Sequence, residues 1–242
     1  MKVALISDVH ANLAALEAVL AAAHAAGAEA IWNMGDTVGY GADPDAVVAR
    51  LREAGAVSVM GNHDAAVVGQ LGLDEFNPFA AAAARWTAET ISPETAGYLA
   101  SLPAVDGDEA VTRCHGTLAD PLWRYLDSYE AAREHFARQE TACSIVGHTH
   151  IPMFVRLDGD EIEPAVPRDG EVFELDGGRV CVNPGGVGQP RDGDPRASWA
   201  LFDTDAGRVT FFRVPYDIAT TQRRIREAGL PGVLADRLSL GR

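Results

Sequence analysis

The sequence predicts an α/β protein with a parallel N-terminal part and a mostly antiparallel second half. Short β-branched or apolar runs alternate with helical patterns in the order β-α-β-α-β between Val3 and Met60, an order that pairs the strands in parallel with helices covering the sheet. From Ile151 onward the runs become short strands separated by turns such as Asp158-Gly159 and Asp176-Gly177-Gly178. A chain of 242 residues, 47% hydrophobic and 23% charged, has the composition of ordinary globular domains and buries a large core without disulfide or zinc staples.

Each element has its own signal. Val3 to Ile6 is a short apolar run and reads as a strand; Leu13, Leu16, Val19, Leu20 and Ala23 then recur at helical spacing between Asn12 and Ala26. Ala30 to Met34 is a second strand. After a Gly-rich turn, Asp43-Pro44 offers an N-cap and a proline at the first helical position, for a helix that runs to Ala54. Val57 to Met60 is the third strand. The Ala-rich stretch from Ala65 to Ser101 holds few β-branched residues, and Asn77-Pro78 and Ser92-Pro93 look like helix starts, so about three helices are expected there. Val111 to Cys114 and Ser144 to Val146 return to strand character, flanking a helix around Tyr129 to Gln139. Strands follow at Met153 to Leu157, Glu171 to Leu175, Val180 to Val182, Trp199 to Phe202 and Val209 to Val214, and an amphipathic segment from Asp217 to Ala228 comes last. No repeat, linker or composition break divides residues 1–242, which read as a single domain.

The 35 acidic against 20 basic residues give a formal charge of −15, which argues against an extended nucleic-acid surface. Two divalent cations would bring −15 to −11, a compatible but unspecific balance. Cys114, Cys143 and Cys181 are odd in number, sit in apolar runs and form no Cys-x-x-Cys pair, so they read as reduced core thiols. The first residues hold an apolar stretch shorter than the roughly 7–15 residues of a signal sequence, and no run approaches the about 20 residues that span a bilayer. A cytoplasmic protein with no membrane partner is expected. Lys2 is the only lysine, so no Gly-x-x-x-x-Gly-Lys phosphate loop exists, and there is no Gly-x-Ser-x-Gly elbow.

The informative residues follow strands. Val3–Ser7 runs into Asp8-Val9-His10, Ile31–Met34 into Gly35-Asp36, Val57–Met60 into Gly61-Asn62-His63-Asp64, Val111–Cys114 into His115-Gly116, and Ser144–Val146 into Gly147-His148-Thr149-His150. In an open parallel sheet the carboxyl ends of the strands share one edge, where ligands bind, so these clusters are expected to meet. Carboxylates, an amide oxygen and several imidazoles suit transition metals better than magnesium or calcium. One aspartate can bridge two metals through its two oxygens, and glycine before Asp36, Asn62 and His148 permits tight turns close to the centre. The competing reading, separate turn-forming residues at strand ends, has to account for every cluster independently.

Together these clusters resemble the five motifs of the calcineurin-like metallophosphoesterase superfamily, and Asn183-Pro184-Gly185-Gly186-Val187-Gly188-Gln189-Pro190-Arg191-Asp192-Gly193-Asp194-Pro195-Arg196 is similar to a small prokaryotic branch of it. The resemblance implies a four-layer α-β-β-α fold, two mixed β-sheets packed face to face and flanked by helices, with a two-metal site at one edge. It assigns Asp8, His10 and His150 to one metal, Asn62, His115 and His148 to the other, and Asp36 to both. The ions are divalent: manganese, iron, zinc, cobalt or nickel. His63 would lie beside the substrate and Asp64 would orient it. Two cations about 3.5–4 Å apart activate a bridging water for in-line attack on phosphorus, while His63 stabilises the developing charge or protonates the leaving oxygen. The expected activity is hydrolysis of a small phosphorylated substrate, nucleotides included, with phosphodiesters ahead of monoesters and pyrophosphates. A non-catalytic alternative is a protein-binding scaffold, the use to which a retromer subunit of the superfamily puts this fold.

Two departures from the family pattern bear on the substrate. The Asp-Arg-Gly that the phosphoprotein and diadenosine tetraphosphate phosphatase branch usually carries shortly after its Gly-Asp is absent here, where Thr37-Val38-Gly39-Tyr40-Gly41 stands without that arginine phosphate clamp, and Gly186 stands where related small phosphoesterases commonly have serine after Asn-Pro-Gly. Arg191 is the candidate to supply charge instead, against the reading of a solvated loop arginine. Asn12 is a candidate substrate contact or an N-cap. Trp86, Trp123, Tyr125 and Trp199 are candidates for an aromatic wall or for plain packing, and the Ala65–Ser101 helices for a cap over the site.

Overall fold

The computed structural model describes residues 1–242 and contains two six-stranded mixed sheets. The first runs β3 (Val57–Ser58), β2 (Ala30–Asn33), β1 (Lys2–Ile6), β11 (Ala197–Asp203), β12 (Arg208–Val214), β9 (Val172–Glu174). The second runs β4 (Val105–Gly107), β5 (Val111–Cys114), β6 (Cys143–Ile145), β10 (Arg179–Pro184), β7 (Pro152–Asp158), β8 (Glu161–Ala165). β1, β2 and β3 pair in parallel, and so do β5, β6 and β10; the remaining pairs are antiparallel. These are the two mixed sheets of the expected four-layer fold, and the strand-end clusters come from the parallel portions of both.

The two-residue period of the strands builds the layers. Val3 and Leu5 of β1 face Val180 and Val182 of β10, Ile145 of β6 and Phe154 of β7 in a core between the sheets. Ala4 and Ile6 point the other way, onto Leu16, Val19 and Leu20 of α1 (Leu13–Ala25) and Val47 and Leu51 of α2 (Pro44–Glu53). On the outer face of the second sheet, Cys114, Cys181 and Val155 pack on Ala132 and Phe136 of α6 (Tyr129–Phe136). The three cysteines are buried and unpaired. No helix is long and apolar enough to cross a membrane.

The Ala65–Ser101 region contributes α3 (Asn62–Val67), α4 (Pro78–Thr90) and α5 (Pro93–Ala100). Asn77 caps α4 by accepting from the amides of Phe79 and Ala80, and Ser92 caps α5 by accepting from Thr95. Ala80 and Ala83 of α4 pack around Tyr40 together with Ile225 of α7 (Ile218–Glu227) and Leu234 of α8 (Gly232–Asp236). Asp43 occupies the N-cap position of α2 without a capping hydrogen bond; its carboxylate instead pairs with Arg224 at 2.9 Å.

Elements missed in the sequence are the weakly apolar ones. β8 reads Glu-Ile-Glu-Pro-Ala and is an edge strand, where proline is tolerated and only Ile162 need be buried. β4, α8 and the short 3₁₀ turn Arg237–Leu240 are three to five residues each, too short for a periodic signal.

Candidate metal centre

Seven non-glycine residues adopt left-handed backbone angles: Asp8, His10, Ala11, Asp36, Tyr40, His148 and His150. Five of the seven are members of the strand-end clusters. Such angles cost about 1–2 kcal/mol per residue and are held here by hydrogen bonds between neighbouring turns: Asp8 N to Gly35 O at 3.0 Å, His10 N to Asp36 O at 2.9 Å and Gly188 N to Asp8 O at 2.9 Å. The glycines make the approach possible. A Cβ on Gly61 would stand 2.1 Å from Asp36 Oδ1, and one on Gly147 would stand 1.9 Å from Ser7 Oγ.

These turns bring together two groups of buried side chains, Asp8, His10, Asp36 and His150 in one and Asp36, His115 and His148 in the other. Asn62 joins the second, its Oδ1 lying 3.1 Å from His115 Nε2. Asp36 Oδ2 lies 3.6 Å from His10 Nε2 and 3.3 Å from His115 Nε2, so one carboxylate oxygen is shared between the groups. Its Oδ1 accepts from the His63 amide at 2.9 Å.

The hydrogen bonds fix which imidazole nitrogens are free. His10 Nδ1 donates to Val38 O at 3.0 Å, His115 Nδ1 to Met34 O at 2.7 Å, His150 Nδ1 to Gln189 O at 2.6 Å and His148 Nε2 to Trp123 O at 3.1 Å. A carbonyl only accepts, so each of these nitrogens carries the proton and a neutral ring presents a lone pair on the other. His10 Nε2 and His150 Nε2 then face each other at 3.2 Å as two acceptors, and His148 Nδ1 lies 3.0 Å from His115 Nε2. Asp8 Oδ1, 3.3 Å from His150 Nε2, is buried with no hydrogen-bond partner. Buried lone pairs converging on one another are costly unless a positive charge joins them. The donor set therefore fits divalent transition metals, with the outer carbonyl bonds orienting the rings.

Electrostatics agree with that fit. Burial would raise the Asp36 carboxyl, but the charges of His115 and His63 hold it well below the ordinary carboxylate range. Burial would lower His115, yet the Asp36 carboxylate pushes it up to about 9. Burial pushes His63 down to about 4 and His148 to about 3, and holds His10 and His150 well below the usual histidine value.

The remaining predicted site residues divide. His63 is buried beside the first group, its ring centroid 4.9 Å from His10, 4.5 Å from Tyr40 and 5.0 Å from Phe76. Its Nδ1 is buried without a partner, and the lack of a Cβ on Gly39 makes room for the ring. Asp64 does not touch His63. Its oxygens accept from the amides of Thr37, Val38 and Gly61 at 3.1–3.2 Å, because successive helical residues point about 100° apart, and the expected direct orienting contact is corrected to a clamp on the loop beneath the ring. Asn12 is committed to structure: Oδ1 accepts from Ala15 N and Thr221 Oγ1, and Nδ2 donates to Gly188 O.

Arg191 is half-buried against the first group, with Nη2 3.0 Å from Gln189 Oε1 and 3.4 Å from the Tyr40 hydroxyl. Of the four aromatic candidates, Tyr125 stacks on His148 at 3.7 Å and Trp123 lies 6.2 Å from it. Trp199 is buried in the core against Phe212, and Trp86 packs with the cluster around Tyr40. The sequence reading missed Phe76, which bridges His63 and Trp123 at 5.0 and 4.8 Å, and Tyr40; a left-handed tyrosine between Gly39 and Gly41 carries no signal in composition or period.

The sequence matches the calcineurin-like phosphoesterase superfamily domain over residues 1–207. It is 48% identical to a metallophosphoesterase from Sphaerobacter thermophilus of known crystal structure, covering 100% of this chain and 99% of that one with a TM-score of 0.91. An uncharacterized protein of Methanocaldococcus jannaschii is 36% identical over 99% of this chain and 98% of its own length. A hypothetical protein of Pyrococcus horikoshii shares the fold, with a TM-score of 0.78 at 21% identity over 100% of this chain and 98% of that one.

Proposed function

The chain belongs to the calcineurin-like phosphoesterase superfamily, and from that premise we propose that it is a phosphodiesterase acting on a small phosphorylated substrate, with Asp8, His10, Asp36 and His150 holding one divalent ion and Asp36, Asn62, His115 and His148 a second. The observation that carries this reading is the single Asp36 oxygen within 3.6 Å of imidazoles of both groups. Bound there, two divalent cations supply Lewis acidity toward phosphate oxygens and lower the pKa of water.

The chain's own residues do the rest. Val38, Met34, Gln189 and Trp123 carbonyls hold four ligand rings in the tautomer that presents a lone pair inward. His63, which has no hydrogen-bonding partner for its ring nitrogens within the protein, is placed to donate a hydrogen bond to the leaving oxygen as charge develops on it. Diesters are favoured because two different flanks border the centre for two substituents: Tyr125 and Trp123 against His148, with Phe76 beside Trp123, and Arg191 next to His150, whose carbonyl accepts from the Arg191 amide at 3.4 Å. The free, buried cysteines accord with a reducing, cytoplasmic setting.

The test is manganese-dependent release of nitrophenolate from bis(p-nitrophenyl) phosphate and p-nitrophenyl phosphate by metal-stripped, reloaded protein, with Asp36→Asn in parallel. Preference for the diester, abolished by the substitution, is expected. Preference for the monoester would make the protein a phosphatase, and no turnover with manganese, iron, cobalt, nickel or zinc would overturn the enzymatic reading.

A further inference from the structure

Among the non-glycine residues at left-handed backbone angles, Tyr40, at a φ of +59°, is the one large side chain outside the proposed ligands. Such an angle is unfavourable for a bulky residue and persists where the surroundings over-determine it, as they do at functional sites. Here two glycines let the loop press against the first metal group and His63. Gly41 N donates to His10 O at 3.1 Å; a Cβ on Gly41 would stand 2.3 Å from that oxygen, and one on Gly39 would stand 2.5 Å from His63 Nδ1. The Tyr40 ring centre lies 4.6 Å from that of His10 and 4.5 Å from that of His63. Ala80 and Ala83 of α4, Ile225 of α7 and Leu234 of α8 pack in one cluster with it, leaving the residue 5% exposed.

Arg191 reaches the same ring from the segment after β10. His150 Nδ1 donates to Gln189 O at 2.6 Å and Arg191 N donates to His150 O at 3.4 Å, so residues 189–191 fold around a ligand of the first group. The guanidinium then lies beside Tyr40, with Cζ 5.8 Å from the ring centre and Nη2 3.4 Å from the hydroxyl, while Nη2 also donates to Gln189 Oε1 at 3.0 Å. Its partners are all neutral. Arg191 is absent from the arginine–carboxylate pairs formed within 4.0 Å, in a chain with 35 acidic residues.

Counting donors shows what the pair lacks. A guanidinium only donates, so the Tyr40 oxygen accepts from Arg191, and its own O–H proton has no acceptor in the protein. Arg191 Nη1 has none either. Burial raises the Tyr40 hydroxyl above the ordinary phenol value, so the proton stays on it. The metal groups gather lone pairs without donors; beside them, Tyr40 and Arg191 gather donors without an acceptor. An anionic phosphate oxygen answers both, since cationic forks match phosphate oxygens and a phenol that accepts from a cation is a stronger donor in turn.

We propose that the Tyr40 hydroxyl and the Arg191 guanidinium form one donor pair that binds the anionic phosphate oxygen facing the His150 side, next to His63. The inference rests on the phosphoesterase reading and deepens it by naming the residues that hold the phosphate apart from the metal ligands. Because Arg191 donates to the Tyr40 oxygen, the two act as a unit, and removing either disables the other.

The test is a double-mutant cycle of Tyr40→Phe and Arg191→Gln in the manganese-loaded full chain. It is read as kcat/KM on whichever of bis(p-nitrophenyl) phosphate and p-nitrophenyl phosphate is turned over. Each single variant should lose about tenfold or more, the effect of a hydrogen bond to a charged group, and the double variant should lie within about threefold of Arg191→Gln, as members of one unit do not add. A larger further loss in the double variant, or a Tyr40→Phe value within about twofold of wild type, would overturn the pair. So would a fall in manganese content of Tyr40→Phe, which would place its effect on the metal ligands. Calorimetry with inorganic phosphate keeps the two readings separable. If neither ester is turned over, weaker phosphate binding in both single variants with no further loss in the double one supports the pair while the esterase reading fails. Unchanged affinities, additive losses or no phosphate binding by the wild type overturn it.

Discussion

Replacing Gly61 by alanine adds one methyl group and tests whether the shared carboxylate organises the centre. The new Cβ would stand 2.1 Å from Asp36 Oδ1 and 2.2 Å from Asp36 N, against an ordinary contact of at least 3.4 Å, so more than 1 Å of movement is required and one of the two contacts is backbone. Gly61 lies at φ −96° and ψ 170°, an extended conformation that alanine adopts freely. Without the clash, the substitution would stabilise by about 0.4–1 kcal/mol through the unfolded chain. Overpacking of this kind costs about 1–3 kcal/mol, so a net loss of roughly 1–2 kcal/mol is expected. The functional loss is larger in proportion, because a displacement of about 1 Å in a reacting geometry lowers rates roughly 100-fold. The assay pairs urea unfolding with metal content by elemental analysis and kcat/KM on bis(p-nitrophenyl) phosphate. A folded variant with full metal content and activity within twofold of wild type would refute the claim that Asp36 must stay where it is.

Other perturbations separate the parts. Asp36→Asn removes the one charge common to both groups and should lower manganese affinity by more than about 100-fold, the upper figure for merely outer partners; equilibrium dialysis checks it. His63→Ala should leave metal content intact and lower kcat by about 10²–10³ on an alkyl ester, the usual loss for one donor to a developing oxyanion, with a smaller effect on nitrophenyl esters, which need less help. His135, away from the centre, accepts from Leu118 N and contacts Ser144 Oγ at 2.8 Å, and burial pushes it down to about 4. Its folded value lies below the unfolded one, so its contribution is present above about pH 6.5 and is lost as pH falls toward 4, a loss of about 3 kcal/mol. His135→Gln should flatten the pH dependence of urea stability in that window; an unchanged slope would rule out the buried neutral state.

The parts of the molecule legible in the sequence are those where chemistry and period coincide. Asp8, His10, Asp36, Asn62, His115, His148 and His150 stand directly after apolar runs, and the parallel pairing of β1–β3 and of β5, β6 and β10 brings all seven together. What was not legible is set by distant contacts. Asp64 looks like an orienting partner of His63 by adjacency, but its carboxylate is taken by the amides of Thr37 and Val38 from another turn and by the amide of Gly61, the N-cap of its own helix. Phe76 and Tyr40 lie in loops whose place is fixed by α4, α7 and α8, and Trp199 reads as well for a binding wall as for the core it occupies. No local pattern distinguishes those outcomes.

Each metal group draws on both sheets, Asp8, His10, Asp36 and Asn62 from one and His115, His148 and His150 from the other. The chain builds those sheets out of sequence order: β1 is flanked by β11, whose Phe202 pairs with Val3, and His150 leans on the carbonyl of Gln189. In a nascent chain Asp8 therefore emerges well before β10 and β11, and the two sheets cannot enclose a cation between them until those strands have followed. Closing such long-range pairings is slow relative to local helix formation. Metal capture accordingly follows the emergence of β10 and β11, and a chain stalled just before Gln189 carries all seven ligand residues without possessing the finished site.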